Sequence, residues 1–139
     1  MNWIVWSLLS ALFAAATAIL AKLGVAGVNS NLAMAVRTSV VFVLAWGIAF
    51  ADLPVSALTG LGRRTLGFLV ASGLATGLSW LCYFRALQLG EASRVAPVDK
   101  LSVVFVLVFA AAFLGERITA ATLAGAGLIA AGAAILALK

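Results

Sequence analysis

Long stretches without any charge dominate this chain. Trp3 to Ala21 contains no Asp, Glu, Lys or Arg, and neither does Thr65 to Phe84 or Ala120 to Leu138. A helix needs about 20 mostly apolar residues to cross the hydrocarbon of a bilayer. There every backbone N–H and C=O must be paired within the protein, which leaves helices and closed barrels as the spanning structures. Of the 139 residues, 65% are hydrophobic and 9% are charged, against about 25% charged in an ordinary soluble domain. Mean hydropathy is +1.24. So few charges cannot cover a soluble fold of this size. The chain is read as an all-α integral membrane protein, expected in a cell membrane and specifically a bacterial inner membrane.

Punctuation along the sequence predicts five spans within a single unit, residues 1–139. The first runs from Trp3 to Ala21 and is closed by Lys22; Trp3 and Trp6 suit the headgroup level at its start. No Lys or Arg precedes it, so it reads as a helix of the mature protein rather than a signal peptide. A Gly/Asn/Ser connection, Gly24 to Asn31, leads to a second span from about Asn31 to Ala51, ended by Asp52 and Pro54. Val55 to Arg64 is the longest connection. The third span is Thr65 to Phe84, ending at Arg85 with a tail to Gln88, and Gly90 to Ser93 is a turn. The fourth runs from about Arg94 to Gly115, with Ser93 as its expected N-cap and Pro97 in its first turn. Glu116 to Thr119 is a tight connection, and Ala120 to Leu138 is the fifth span, before Lys139.

Several classes of function fall away on residue types. There is no histidine and a single cysteine, Cys82. This removes a Ser-His-Asp triad, zinc sites built on His or Cys, an internal disulfide and a histidine relay. No Gly-rich phosphate loop is present. The net charge of +5 comes from basic residues near the ends of apolar runs, where anchoring and topology explain them without nucleic acid. The chain is not read as an enzyme and needs no cofactor. Movement of a small molecule across the bilayer remains. Cys82, in an apolar run, is expected to be packing.

Five spans place the termini on opposite sides. Lys22, Arg85, Arg94 and Lys139 fall on the side reached after the first span; Arg63, Arg64 and Arg117 fall on the other. The positive-inside signal is nearly balanced. Either Arg63-Arg64 fixes one orientation, or the chain inserts both ways and forms antiparallel pairs.

The interior charges are more informative. Arg37 lies about two turns into the second span and Asp99-Lys100 a similar distance into the fourth, both counted from the same side, roughly 8–10 Å of helix. Trp80 and Tyr83, three apart on one face of the third span, approach that level. A buried ion in lipid costs about 2.5–3.5 kcal/mol on insertion scales, so these groups should face one another or a wet cavity. In one reading Arg37 and Asp99 form a bridge and Lys100 snorkels. In the other, Arg37, Trp80, Tyr83, Asp99 and Lys100 line a pocket for a small metabolite, with a positive balance that favours an anionic substrate. Asp99 is then the candidate for proton exchange, although pairing with a base opposes its protonation. Gly73-x-x-x-Gly77 and the ladder of Gly125, Gly127, Ala131 and Gly132 read as close-packing faces. Trp46 and the phenylalanines read as lipid-facing or packing.

The stretch Arg85-Ala86-Leu87, Pro97-Val98-Asp99-Lys100-Leu101-Ser102 and Phe113-Leu114-Gly115-Glu116-Arg117-Ile118-Thr119, followed by a Gly/Ala-rich last helix, resembles the EamA-type unit of the drug/metabolite transporter superfamily. The resemblance covers essentially the whole chain. It implies one half of an inverted-repeat transporter, because longer relatives carry two such units in opposite orientation around a central cavity. It therefore implies a homodimer, antiparallel, exporting a small metabolite or drug, with Glu116 in a structural role at a helix end. The four-helix small multidrug exporters use a carboxylate inside their first helix, and Trp3 to Ala21 has none. The competing expectation is a non-transporting membrane subunit that packs through its Gly/Ala faces and regulates or completes another complex.

Overall fold

The structure, a computed structural model, describes residues 2–138. Met1 and Lys139, the latter expected on the side reached after the first span, lie outside the described residues. Five helical segments are long and apolar enough to cross a membrane: Trp3–Gly24, Ser30–Asp52, Arg63–Leu89, Ala92–Leu114 and Ala120–Ala137. The protein is a multi-pass, all-helical membrane protein.

The first helix, α1 (Trp3–Gly24), runs past Ala21 with Lys22 in its last turn, where a cation meets the negative end of the helix dipole. Gly27 adopts φ 72° in the following turn, a left-handed conformation that glycine reaches without a Cβ clash. Asn29 then caps α2 (Ser30–Asp52), its side chain accepting from the Asn31 N–H at 2.9 Å. A short 3₁₀ helix, Val55–Gly60, follows Pro54 within what the sequence suggested was a plain connection. Next comes α3 (Arg63–Leu89), the longest helix.

Four hydroxyls inside these helices are satisfied locally. Ser7 donates to the Trp3 carbonyl, Thr38 to Met34, Ser39 to Ala35 and Thr76 to Ser72 at 2.8–3.1 Å. Each bond reaches back one turn and pairs a donor that lipid could not satisfy.

The fourth span is discontinuous. It comprises α4 (Ala92–Asp99), α5 (Ser102–Phe109) and a π-helical turn, Ala110–Leu114. Contrary to expectation, Ser93 is not the N-cap. The cap position is Glu91, and Pro97 lies inside α4. Proline there has no N–H to donate one turn back and its ring crowds that carbonyl. Just beyond it the Lys100 N–H is shared between the Ala96 and Pro97 carbonyls at 3.3 and 3.1 Å. Leu101, Val103 and Val104 each bond three residues back, at 2.9–3.0 Å, the tighter 3₁₀ pattern. The span ends at Gly115, φ 67°, with the Glu116 N–H on the Ala110 carbonyl at 3.2 Å. Thr119 then caps α6 (Ala120–Ala137), accepting from the Thr122 N–H at 3.2 Å.

The chain divides into two compact units, residues 1–20 with 89–139, and residues 21–88. In the first, α4 and α5 both pack against α6. Its buried residues are small: Ala18, Ala110 and Ala133. In the second, the buried set is Ala21, Val25, Ser30, Phe84 and Leu87. There Lys22 Nζ donates to the Leu87 carbonyl at 2.6 Å and Gln88 Nε2 to the Val28 carbonyl at 2.9 Å. These bonds fasten the 1–2 turn to the end of α3. Most large apolar side chains are exposed, as helices bathed in acyl chains allow. Cys82, expected to pack inside, is one of the exposed residues.

Candidate functional site

In the unit of residues 21–88, Arg37 extends from α2 toward the aromatic face of α3. Its guanidinium carbon lies 4.0 Å from the Trp80 ring centroid and 4.8 Å from that of Phe84. Tyr83 is near enough to interact with the same charge, and Trp80, Tyr83 and Arg37 are all half-buried. Sequence reasoning foresaw Trp80 and Tyr83 and missed Phe84. The signal was available, since Phe84 follows Trp80 by four residues and shares its helix face.

This arrangement stabilises the cation only in part. A cation over an aromatic face gains about 0.5–2 kcal/mol. Arg37 Nε and Nη2 are buried and have no hydrogen-bond partner among the described residues. A buried donor left unpaired costs about 1–3 kcal/mol. Two such donors cost about 2–6 kcal/mol against about 1–4 kcal/mol returned by two rings, so an acceptor on the open edge would remove a cost that the rings at best balance.

In the other unit, Asp99 and Lys100 sit at the break between α4 and α5. Lys100 Nζ lies 3.4 Å from Asp99 Oδ2, with both side chains partly exposed. Here the charge is met by its sequence neighbour. Arg94 Nε pairs with Glu91 Oε2 at 3.5 Å at the start of α4, an exposed pair of little energetic weight. Glu116 lies just past the end of the fourth span, in the 4–5 connection. The structure thus brings Arg37, Trp80 and Tyr83 together in one unit, and Asp99 and Lys100 together in the other.

Two further features sit apart from these charges. An apolar crevice of about 130 Å³ lies between Trp46 and Phe50 of α2, Leu53 just past its end, and the 3₁₀ helix with Leu61. Trp46 stacks on Phe50 with centroids 5.1 Å apart. Small-residue faces are open. Among the described residues, nothing lies within 4 Å of a Cβ built on Gly73, Gly77, Gly125, Gly127 or Gly132.

Comparison with known proteins agrees with this architecture. A Sinorhizobium sp. protein described as an uncharacterized transporter in the cobO 3′ region is 50% identical over 136 residues, which cover 98% of this chain and 96% of that protein. No solved structure matches. The model of the EamA-like transporter family matches residues 1–138. The chain belongs to the EamA-like transporter family.

Proposed function

We propose that the chain is a half-size exporter of a small metabolite or drug, working as an antiparallel homodimer in a bacterial inner membrane. One five-helix unit, residues 1–139, supplies each half. Substrate binds near the midplane between the copies, where inverted repeats commonly hold it. Arg37 and Lys100 hold an anionic group, Asp99 orients them or exchanges a proton, and Trp80 and Tyr83 form apolar walls. The observation that carries this reading is Arg37, a membrane-embedded cation with two buried N–H groups unpaired.

Other features support it. Among the described residues five spans are found, one half of the inverted repeat, and two copies make an inverted pair by inserting in opposite senses. The break in the fourth span places Asp99 and Lys100 where the backbone is irregular, a feature transporters reserve for cavities and binding sites. The open glycine faces suit the close approach of another helix.

Transport by purified protein tests the reading. Protein in liposomes should move a metabolite that expressing cells release, and Arg37→Ala and Lys100→Ala should each reduce that movement. No movement, or movement unchanged by both substitutions, overturns it. The same open faces suit the alternative of a non-transporting subunit. Cross-linking through Cys82 and native mass measurement separate the two. A stable homodimer fits the exporter, whereas an obligate foreign partner fits the alternative.

A further inference from the structure

Arg37 presents its charge in a particular way. Trp80 and Phe84 lie against the guanidinium at 4.0 and 4.8 Å, and the nitrogens left buried and unpartnered are Nε and Nη2. These two share one edge of the planar group. Their N–H bonds point the same way, side by side, at the spacing of two oxygens on one carbon. A single orphaned donor would call for any acceptor. An orphaned edge calls for two oxygens on one atom, and a carboxylate also matches its plane.

Charge narrows the choice further. Within residues 21–88 the single acid is Asp52, at the far end of α2 and about 22 Å along the helix axis from Arg37. Arg37 therefore has no nearby acid in its own unit, which also carries Lys22 and Arg85. An anion is attracted there and a cation repelled.

We propose that Arg37 binds the carboxylate of an anionic substrate side-on through Nε and Nη2, with Trp80 and Phe84 covering the guanidinium. This rests on the transport reading above and gives it a substrate class. Arg37 acts as a shaped receptor, so lysine, a point charge without the paired edge, does not replace it.

The test compares culture media by untargeted mass spectrometry for cells carrying wild type, Arg37→Lys, Arg37→Ala or an empty vector. Compounds enriched by wild type should carry a free carboxylate. Arg37→Lys should lower their export about tenfold or more despite the retained charge. Wild-type protein in liposomes should move the strongest of these compounds and not its methyl ester, a comparison that needs no variant to fold. Enrichment of compounds without a carboxylate, equal transport of acid and ester, or Arg37→Lys matching wild type overturns the carboxylate assignment and leaves transport standing. If wild type moves nothing in cells or liposomes, the transport reading falls and this inference with it. Thermal unfolding without substrate checks the rival acceptor. If Asp99→Asn and Arg37→Lys destabilise equally and the double variant no further, Asp99 is the acceptor and the proposal is wrong.

Discussion

Arg37 and the Asp99-Lys100 pair meet the same cost by different means. Arg37 sits on an unbroken helix, where the backbone satisfies itself. The side chain must find its own company, which is aromatic and leaves a polar edge unmet. Lys100 has its counter-ion next to it, but the backbone beneath is broken. Pro97 leaves the Ser93 carbonyl without the donor that a regular helix would supply. One region is thus regular in backbone and deficient in side-chain partners, and the other is the reverse. A transport site needs both kinds of deficiency, since groups already satisfied have little to offer a substrate.

That contrast can be broken in order of expected effect. Arg37→Ala removes the edge and the charge. Hydrogen bonds to charged groups contribute about 1.5–3 kcal/mol, so transport should fall roughly 10- to 100-fold, measured in liposomes at matched protein density. Lys100→Ala leaves Asp99 without its counter-ion, and transport should fall about tenfold. If Lys100→Ala proves the more damaging, the ranking of the two regions is reversed. Pro97→Ala restores a backbone donor. An interior proline costs about 3 kcal/mol relative to alanine, so thermal unfolding should move upward by several degrees. Transport should drop a few-fold if the break belongs to the working site. A stability gain with full transport would make the break incidental. Thr119→Ala removes the cap of α6, far in sequence from both charged groups. It should lower stability by about 1 kcal/mol and leave transport per folded molecule unchanged.

Much of the fold was readable because a bilayer demands long apolar runs and little else. All five spans fall where the sequence placed them. Their ends were less legible. α1 continues through Lys22 because the ammonium finds the Leu87 carbonyl, a partner distant in sequence. α3 stays helical through the tail expected to Gln88 and on to Leu89, with Arg85 Nη1 donating to Gln88 Oε1; hydropathy fades there while the helix does not. Misplacing the start of the fourth span at Ser93 put Pro97 in the first turn and hid the break. Cys82 looked buried because burial is the habit of free cysteines, a habit learned in water, where an apolar exterior is penalised. For the charged groups, spacing alone grouped Trp80 with Tyr83. That the Arg37 edge would be left unpartnered depends on how α2 meets α3, and no local pattern encodes that.

The reading of two copies in opposite senses is open to one direct measurement. In a Cys82→Ser background, single cysteines are placed beside each terminus and labelled with a membrane-impermeant maleimide in intact cells and in inverted vesicles. Opposed insertion predicts that each terminus is labelled from both sides, in comparable amounts. Labelling of each terminus from one side only would contradict the antiparallel homodimer.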